Sequence, residues 1–167
     1  SNLNIDIIKQ RLNNIFNIYL YFLIFEIYCE FWACIISSLF ISIEREISIT
    51  KIINYQREWS IFQTINCLKW MDLKYIDIIN NSAYEKYNES TNLFCYQIGK
   101  MLLLFKYKQF LKFLPNITTN NINFKKSYHA INLFIDYIEE ISRDKELLKE
   151  LNKNIIRSKS MQLCYNL

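Results

Sequence analysis

The stretch IYLYFLIFEIYCEFWACIISSLFISI, residues 18–43, decides how this chain is read. Apolar side chains fall on every side of a helical wheel through it. Such a segment is either the central helix of a soluble core or a membrane span. A span needs about 20 largely apolar residues. The uninterrupted run here, Ile18–Phe25, is much shorter, and Glu26 and Glu30 then follow four residues apart on one face. Carboxylates at mid-membrane are costly. No lysine or arginine closely flanks the N-terminal end, and a secretory leader would show a positive start and a small-residue cleavage site. The segment therefore reads as a buried central helix, with membrane anchoring over residues 18–41 as the alternative. Glu26 and Glu30 are then expected at a solvent edge or beside a basic residue.

The rest of the chain fits a helical setting. It has 167 residues, 51% of them hydrophobic and 22% charged, enough for one domain with a real core. It holds one glycine and one proline. Sheet proteins draw on both residues for tight turns, so few hairpins are expected. Ile, Asn, Lys, Tyr and Phe are abundant, as A/T-rich codons favour, which discounts isoleucine as a strand signal. The Asn-x-Ser/Thr triplets at Asn80, Asn88 and Asn116 follow from the same bias. The expected fold is all-α: a single-domain, irregular bundle of about six to seven helices over residues 1–167, with a very apolar central helix.

Working outward, a helix capped by Asn4 is expected to run on into the apolar stretch. Ser37, Ser38 and Ser42 place its end near residue 41, with a short extended piece at residues 43–49. Thr50 is the expected cap of a helix ending near Trp70, Asp72 of one reaching Ile79, and Ser82 of one through Tyr87. A helix from about Ser90 to Leu114 is expected to stop at Pro115, with a loop at residues 116–123. Helices from Phe124 to Ile141 and from the cap Asp144 complete the pattern, with a loose tail from Ser158.

Composition excludes much chemistry. His129 is the one histidine, so paired Glu-x-x-His and His-Glu-x-x-His metal sites are ruled out. It follows lysines rather than the arginine that a helical ribonuclease motif would place upstream. The single glycine, Gly99, excludes a glycine-rich phosphate loop. Cys29, Cys34, Cys67, Cys95 and Cys164 are odd in number and lack Cys-x-x-Cys spacing, as expected of reduced thiols in a cytoplasmic protein. No catalytic residue, metal or cofactor is expected.

Charge is segregated. Lys100, Lys106, Lys108, Lys112, Lys125 and Lys126 lie in a region without acids. Of these, Lys100, Lys108, Lys112, Lys125 and Lys126 form a candidate phosphate or nucleic-acid face, with Tyr96 and Tyr107 as stacking surfaces. Net charge is only +4 and arginines are few, which disfavours nucleic acid as the partner. Asp72, Asp77, Glu85 and Glu89 make one acidic group. Asp136, Glu139, Glu140 and Asp144 make another, and both are candidate contacts for a basic protein partner. The resulting expectation is a non-enzymatic protein-binding bundle, an inhibitor or immunity-type protein that neutralises a partner such as a toxin. A subunit of a membrane-associated or organellar complex and an RNA-binding helical module are the alternatives.

Overall fold

A computed structural model describes residues 5–18, 23–80, 83 and 85–153. It is an irregular all-α bundle with one two-stranded hairpin among the described residues. Helix α1 spans Ile5–Phe16, α2 Ile24–Arg45, α3 Ile49–Trp70 and α4 Tyr75–Ile79. A π-helical turn, Phe94–Gly99, runs directly into α5, Lys100–Phe105. Then come α6 at Tyr107–Ile117, α7 at Tyr128–Ser142 and α8 at Lys145–Asn152. Strands β1, Thr118–Thr119, and β2, Asn123–Phe124, pair antiparallel between α6 and α7.

The first helix does not continue into the apolar stretch. It stops at Phe16, where Asn17 turns left-handed at φ 45° and returns its N–H to the Asn13 carbonyl. Asparagine tolerates that conformation. The serines of α2 do not end it either. Ser37 and Ser38 donate to the Cys34 carbonyl at 3.0 and 2.7 Å, satisfying their hydroxyls inside the helix. The helix runs on to Arg45, and the expected extended piece is absent. Glu46 closes it at φ 53°, and the Glu46 and Ile47 N–H groups both return to the Ser42 carbonyl. The chain re-enters helix at Ile49, with Ser48 rather than Thr50 at the cap position. The long helices α2 and α3 thus form an antiparallel hairpin.

Asp72 is left-handed at φ 54° and caps nothing; α4 is instead closed by Asp77, which accepts the Lys74 N–H at 2.7 Å. Residues 85 and 86 form a turn, and the helix start expected at Ser82 lies outside the described residues. The tail from Ser158 also lies outside them.

The single helix expected over residues 90–114 is three segments. The π-helical turn starts it, with the Glu89 carboxylate accepting the Phe94 N–H at 2.8 Å. Lys106, at φ −118° and ψ 49°, breaks α5 from α6. Pro115 does not end α6, which passes through it to Ile117. Leu111 and Pro115 are both exposed, so water reaches the side of the helix where a ladder bond is missing. The loop expected at residues 116–123 is mostly the hairpin, turned by Asn120 and Asn121 at φ 55° and 61°. Ser127 caps α7, its hydroxyl accepting the Ala130 N–H at 3.2 Å. Asp144 caps α8 as expected, accepting from the Glu146 and Leu147 N–H groups.

Among the described residues, α2 is not the most fully buried segment. That segment is the π-helical turn and α5, where Phe94, Ile98, Met101, Leu102, Leu103 and Leu104 are fully buried. Phe16 meets Phe94 edge-on with ring centroids 4.7 Å apart, and Phe31 meets Phe110 at 4.8 Å. Gly99 has a packing reason. A Cβ there would lie 2.7 Å from Cγ1 of Ile27, so glycine lets α2 cross this segment closely.

Candidate functional site: the outward face of helix α2

Most of the acidic residues are engaged by partners within the bundle. Asp72 is exposed and pairs with Lys86 at 3.0 Å. Asp77 closes α4, and Glu85 is exposed on the turn. Glu89 is half-buried, holding both the Phe94 N–H and the Tyr87 hydroxyl at 2.8 Å. Burial pushes its pKa up, against those two hydrogen bonds. Asp136 pairs with Arg11 at 2.6 Å and ties α1 to α7. Glu139 is half-buried and Glu140 exposed on α7. Asp144 belongs to the next helix, because α7 ends at Ser142, and it pairs with Lys106. Burial would raise the Asp144 pKa. The Lys106 hydrogen bond and charge, with the two N–H donors, outweigh that and hold it below the usual aspartate range. These carboxylates mostly fasten the bundle together.

The lysines of the candidate phosphate face come from α5, α6 and the segment after β2. Lys108 and Lys112 are exposed on α6. Lys100 lies beyond the Lys106 break and faces Glu30 on α2, at 3.9 Å. Lys125 donates to the carbonyls of Pro115 and Asn116 at the end of α6, and Lys126 is exposed nearby. Tyr107 is buried and Tyr96 half-buried, so neither offers an open ring for stacking.

Among the described residues no group of three His, Cys, Asp or Glu side chains is placed to hold a metal ion. Cys29, Cys67 and Cys95 are free thiols, and burial pushes the Cys95 thiol up to about 12. Cys164 lies outside the described residues. His129 is exposed at the start of α7. A cleft of about 470 Å³ between α3, α5 and α8 is lined by Arg57, Glu58, Ile61, Phe105, Glu146, Lys149 and Glu150. It mixes both signs of charge around two apolar side chains.

The surface that stands out is on α2. Its inner face buries Ile24, Ile27, Tyr28, Phe31 and Ser38. Its outer face is apolar as well. Phe25, Cys29, Ala33, Ile36, Phe40 and Ile43 are exposed at helical spacing, with Leu39 beside them. Phe40 and Ile43 are 67% and 68% exposed. Only 28% of the most apolar window of this helix is buried. At the N-terminal end the face continues onto the hairpin. Phe25 and Phe124 are edge-on at 5.2 Å, the Tyr28 hydroxyl donates to the Ile122 carbonyl, and Ile122 is itself exposed.

Glu26 and Glu30 do not sit on this outer stripe. They follow one edge of it, with Glu44 further along the same edge. Glu26 accepts from the Asn92 amide at 3.0 Å, and Glu30 faces Lys100. The sequence signalled the length and apolarity of this segment. It did not show that the outer face of α2 stays uncovered.

Comparison with known proteins adds no relative: no family model matches the chain, and no curated protein or solved structure matches it. The class that fold and site define is an all-α bundle with an apolar helix face on its surface.

Proposed function

We propose that this chain is a non-enzymatic protein-binding bundle that docks its partner through the outward face of α2. One observation carries the reading: a contiguous apolar stripe from Phe25 to Ile43 is left exposed by an otherwise well-packed core. Scattered surface hydrophobics are ordinary, but a continuous patch marks an interaction surface. Burying it returns about 25 cal/mol per Å² of apolar area removed from water. An inhibitor or immunity-type role, neutralising a partner such as a toxin by covering it, is the specific form we favour, because occlusion needs only such a face. Attraction by the two acidic groups supports it less, since Asp72, Asp77, Glu89, Asp136 and Asp144 are engaged within the bundle.

Membrane association is the second reading, because α2 has the length and hydropathy of a span. Against it, the inner face of α2 is locked to the rest of the core through Phe31 and Phe110, and the outer stripe is edged by carboxylates rather than lysines.

A photo-crosslinking side chain placed at Phe40, at Ile36 and, as a control, at Glu140 separates these readings in cells expressing the chain. Protein adducts from positions 36 and 40 but not 140 are the expected result. Lipid adducts alone, or none, overturn the proposal.

A further inference from the structure

We infer that the occupant of the α2 face is an α-helix of the partner protein, apolar along one stripe and carrying lysine or arginine along one edge. This rests on the docking reading above and names the chemistry of the partner. Three features of the face lead to it.

The first is the backbone. Every surface α2 presents along this stripe is side chain, because the N–H and C=O groups of a helix are bonded internally. A partner strand would find no edge to pair with, so recognition falls to interdigitating side chains, as in helix-on-helix packing. The helix is 22 residues long, about 33 Å, which fits several turns of a partner helix laid along it.

The second is relief. Cys29 and Ala33 are small, exposed side chains that lie along the stripe between the larger Phe25 and the larger Ile36 and Phe40. Large side chains recurring on the partner's stripe pack best over such small residues.

The third is charge. Glu26, Glu30 and Glu44 lie along one edge, and Glu44 is exposed. Lys100 offsets part of Glu30, and Asn92 engages Glu26 without neutralising it. The opposite edge carries the half-buried Trp32 and the exposed Leu39, neither of them charged. A basic edge on the partner is complementary to this one-sided arrangement. An anionic bilayer surface is not, because it would meet the carboxylates. An antiparallel two-fold pairing with a second copy is not either. It would set the same edge of each helix together, Glu26 against Glu44 of the second copy.

The test uses the full chain and two fluorescent synthetic peptides. One is an amphipathic Leu/Ala helix with lysine along one edge, and its twin carries glutamate at each lysine position. Anisotropy titrations should show the lysine peptide binding about tenfold or more tighter. Combining Glu26→Gln with Glu44→Gln should remove most of that preference. Phe40→Asp should weaken both peptides, and Glu140→Gln with Asp136→Asn should change neither. Equal binding of the twins overturns the inference, as does a preference lost equally through Glu140→Gln and Asp136→Asn. If Phe40→Asp still weakens binding while the twins bind alike, the docking face stands and the basic helix falls. If Phe40→Asp has no effect on either peptide and the crosslinks at position 40 are absent, both fall. A dimer in sedimentation that Phe40→Asp dissolves, or uptake by phosphatidylserine vesicles that it abolishes, replaces the proposed partner with a second copy or a lipid surface.

Discussion

Two apolar helices of this molecule meet opposite fates. The segment Phe94–Phe105 is surrounded by other elements, and nearly every side chain from Phe94 to Leu104 that could be buried is buried. Helix α2 is longer and as apolar, yet it packs on one side only. The central segment is what the fold is built on. Helix α2 has one face that belongs to the fold and another that the fold leaves over. Apolarity alone does not tell a covered face from an open one, because the same side chains make both and only packing separates them.

The two faces of α2 itself should differ most in what a truncation costs. Phe31→Ala, on the inner face, should cost about 3–5 kcal/mol through lost burial and the cavity left against Phe110. Phe40→Ala, on the outer face, should stay within about 0.5 kcal/mol. Urea unfolding midpoints of the two variants measure the contrast. Equal losses would show that the outer face is covered within the bundle.

A smaller effect is expected where the two helices cross. Gly99→Ala pushes a methyl into Ile27 and should destabilise by about 1–3 kcal/mol, as overpacking does. Pairing it with Ile27→Val should recover part of the loss, read by the same unfolding curves.

Next comes the docking of the last described helix. Asp144→Ala removes the cap of α8 and the partner of Lys106, a loss of about 1–2 kcal/mol. Asp144 is held below its ordinary range in the folded state, so its contribution is complete above the ordinary aspartate value. It is lost as pH falls through the lowered folded value. Acid unfolding monitored by circular dichroism should therefore begin at a higher pH in the variant.

The smallest effect sits beside the π-helical turn. Burial raises the Glu89 pKa, so the folded protein holds a proton more tightly there than the unfolded chain. Stability from this group falls as pH rises from the ordinary glutamate value through the raised one. Glu89→Gln should flatten that slope in unfolding free energies measured across mildly acidic pH.

Particular residues show where sequence reasoning reached and where it stopped. The helical class followed from one glycine and one proline, and Asp144 was legible as a cap because a carboxylate before an apolar run satisfies free N–H groups locally. Ser37 and Ser38 misled, since a hydroxyl that looks like a stop signal can bond back to its own helix. Pro115 misled for a related reason, since a missing donor costs little where water reaches the helix. The carboxylates proposed as partner contacts were visible as charges, but their engagement with Lys86, Arg11 and Lys106 was not. Those bonds join residues far apart in the chain.

The helical class, the longest apolar run at residues 18–43 and the start of a helix at Asp144 are all legible from the amino-acid sequence, because they are local properties of composition, periodicity and capping. That Phe94–Phe105 is the most fully buried described segment, and that Glu26, Glu30 and Glu44 edge a stripe left open from Phe25 to Ile43, follow from tertiary packing. Coverage of a side chain depends on which distant elements reach it, and no local pattern carries that information.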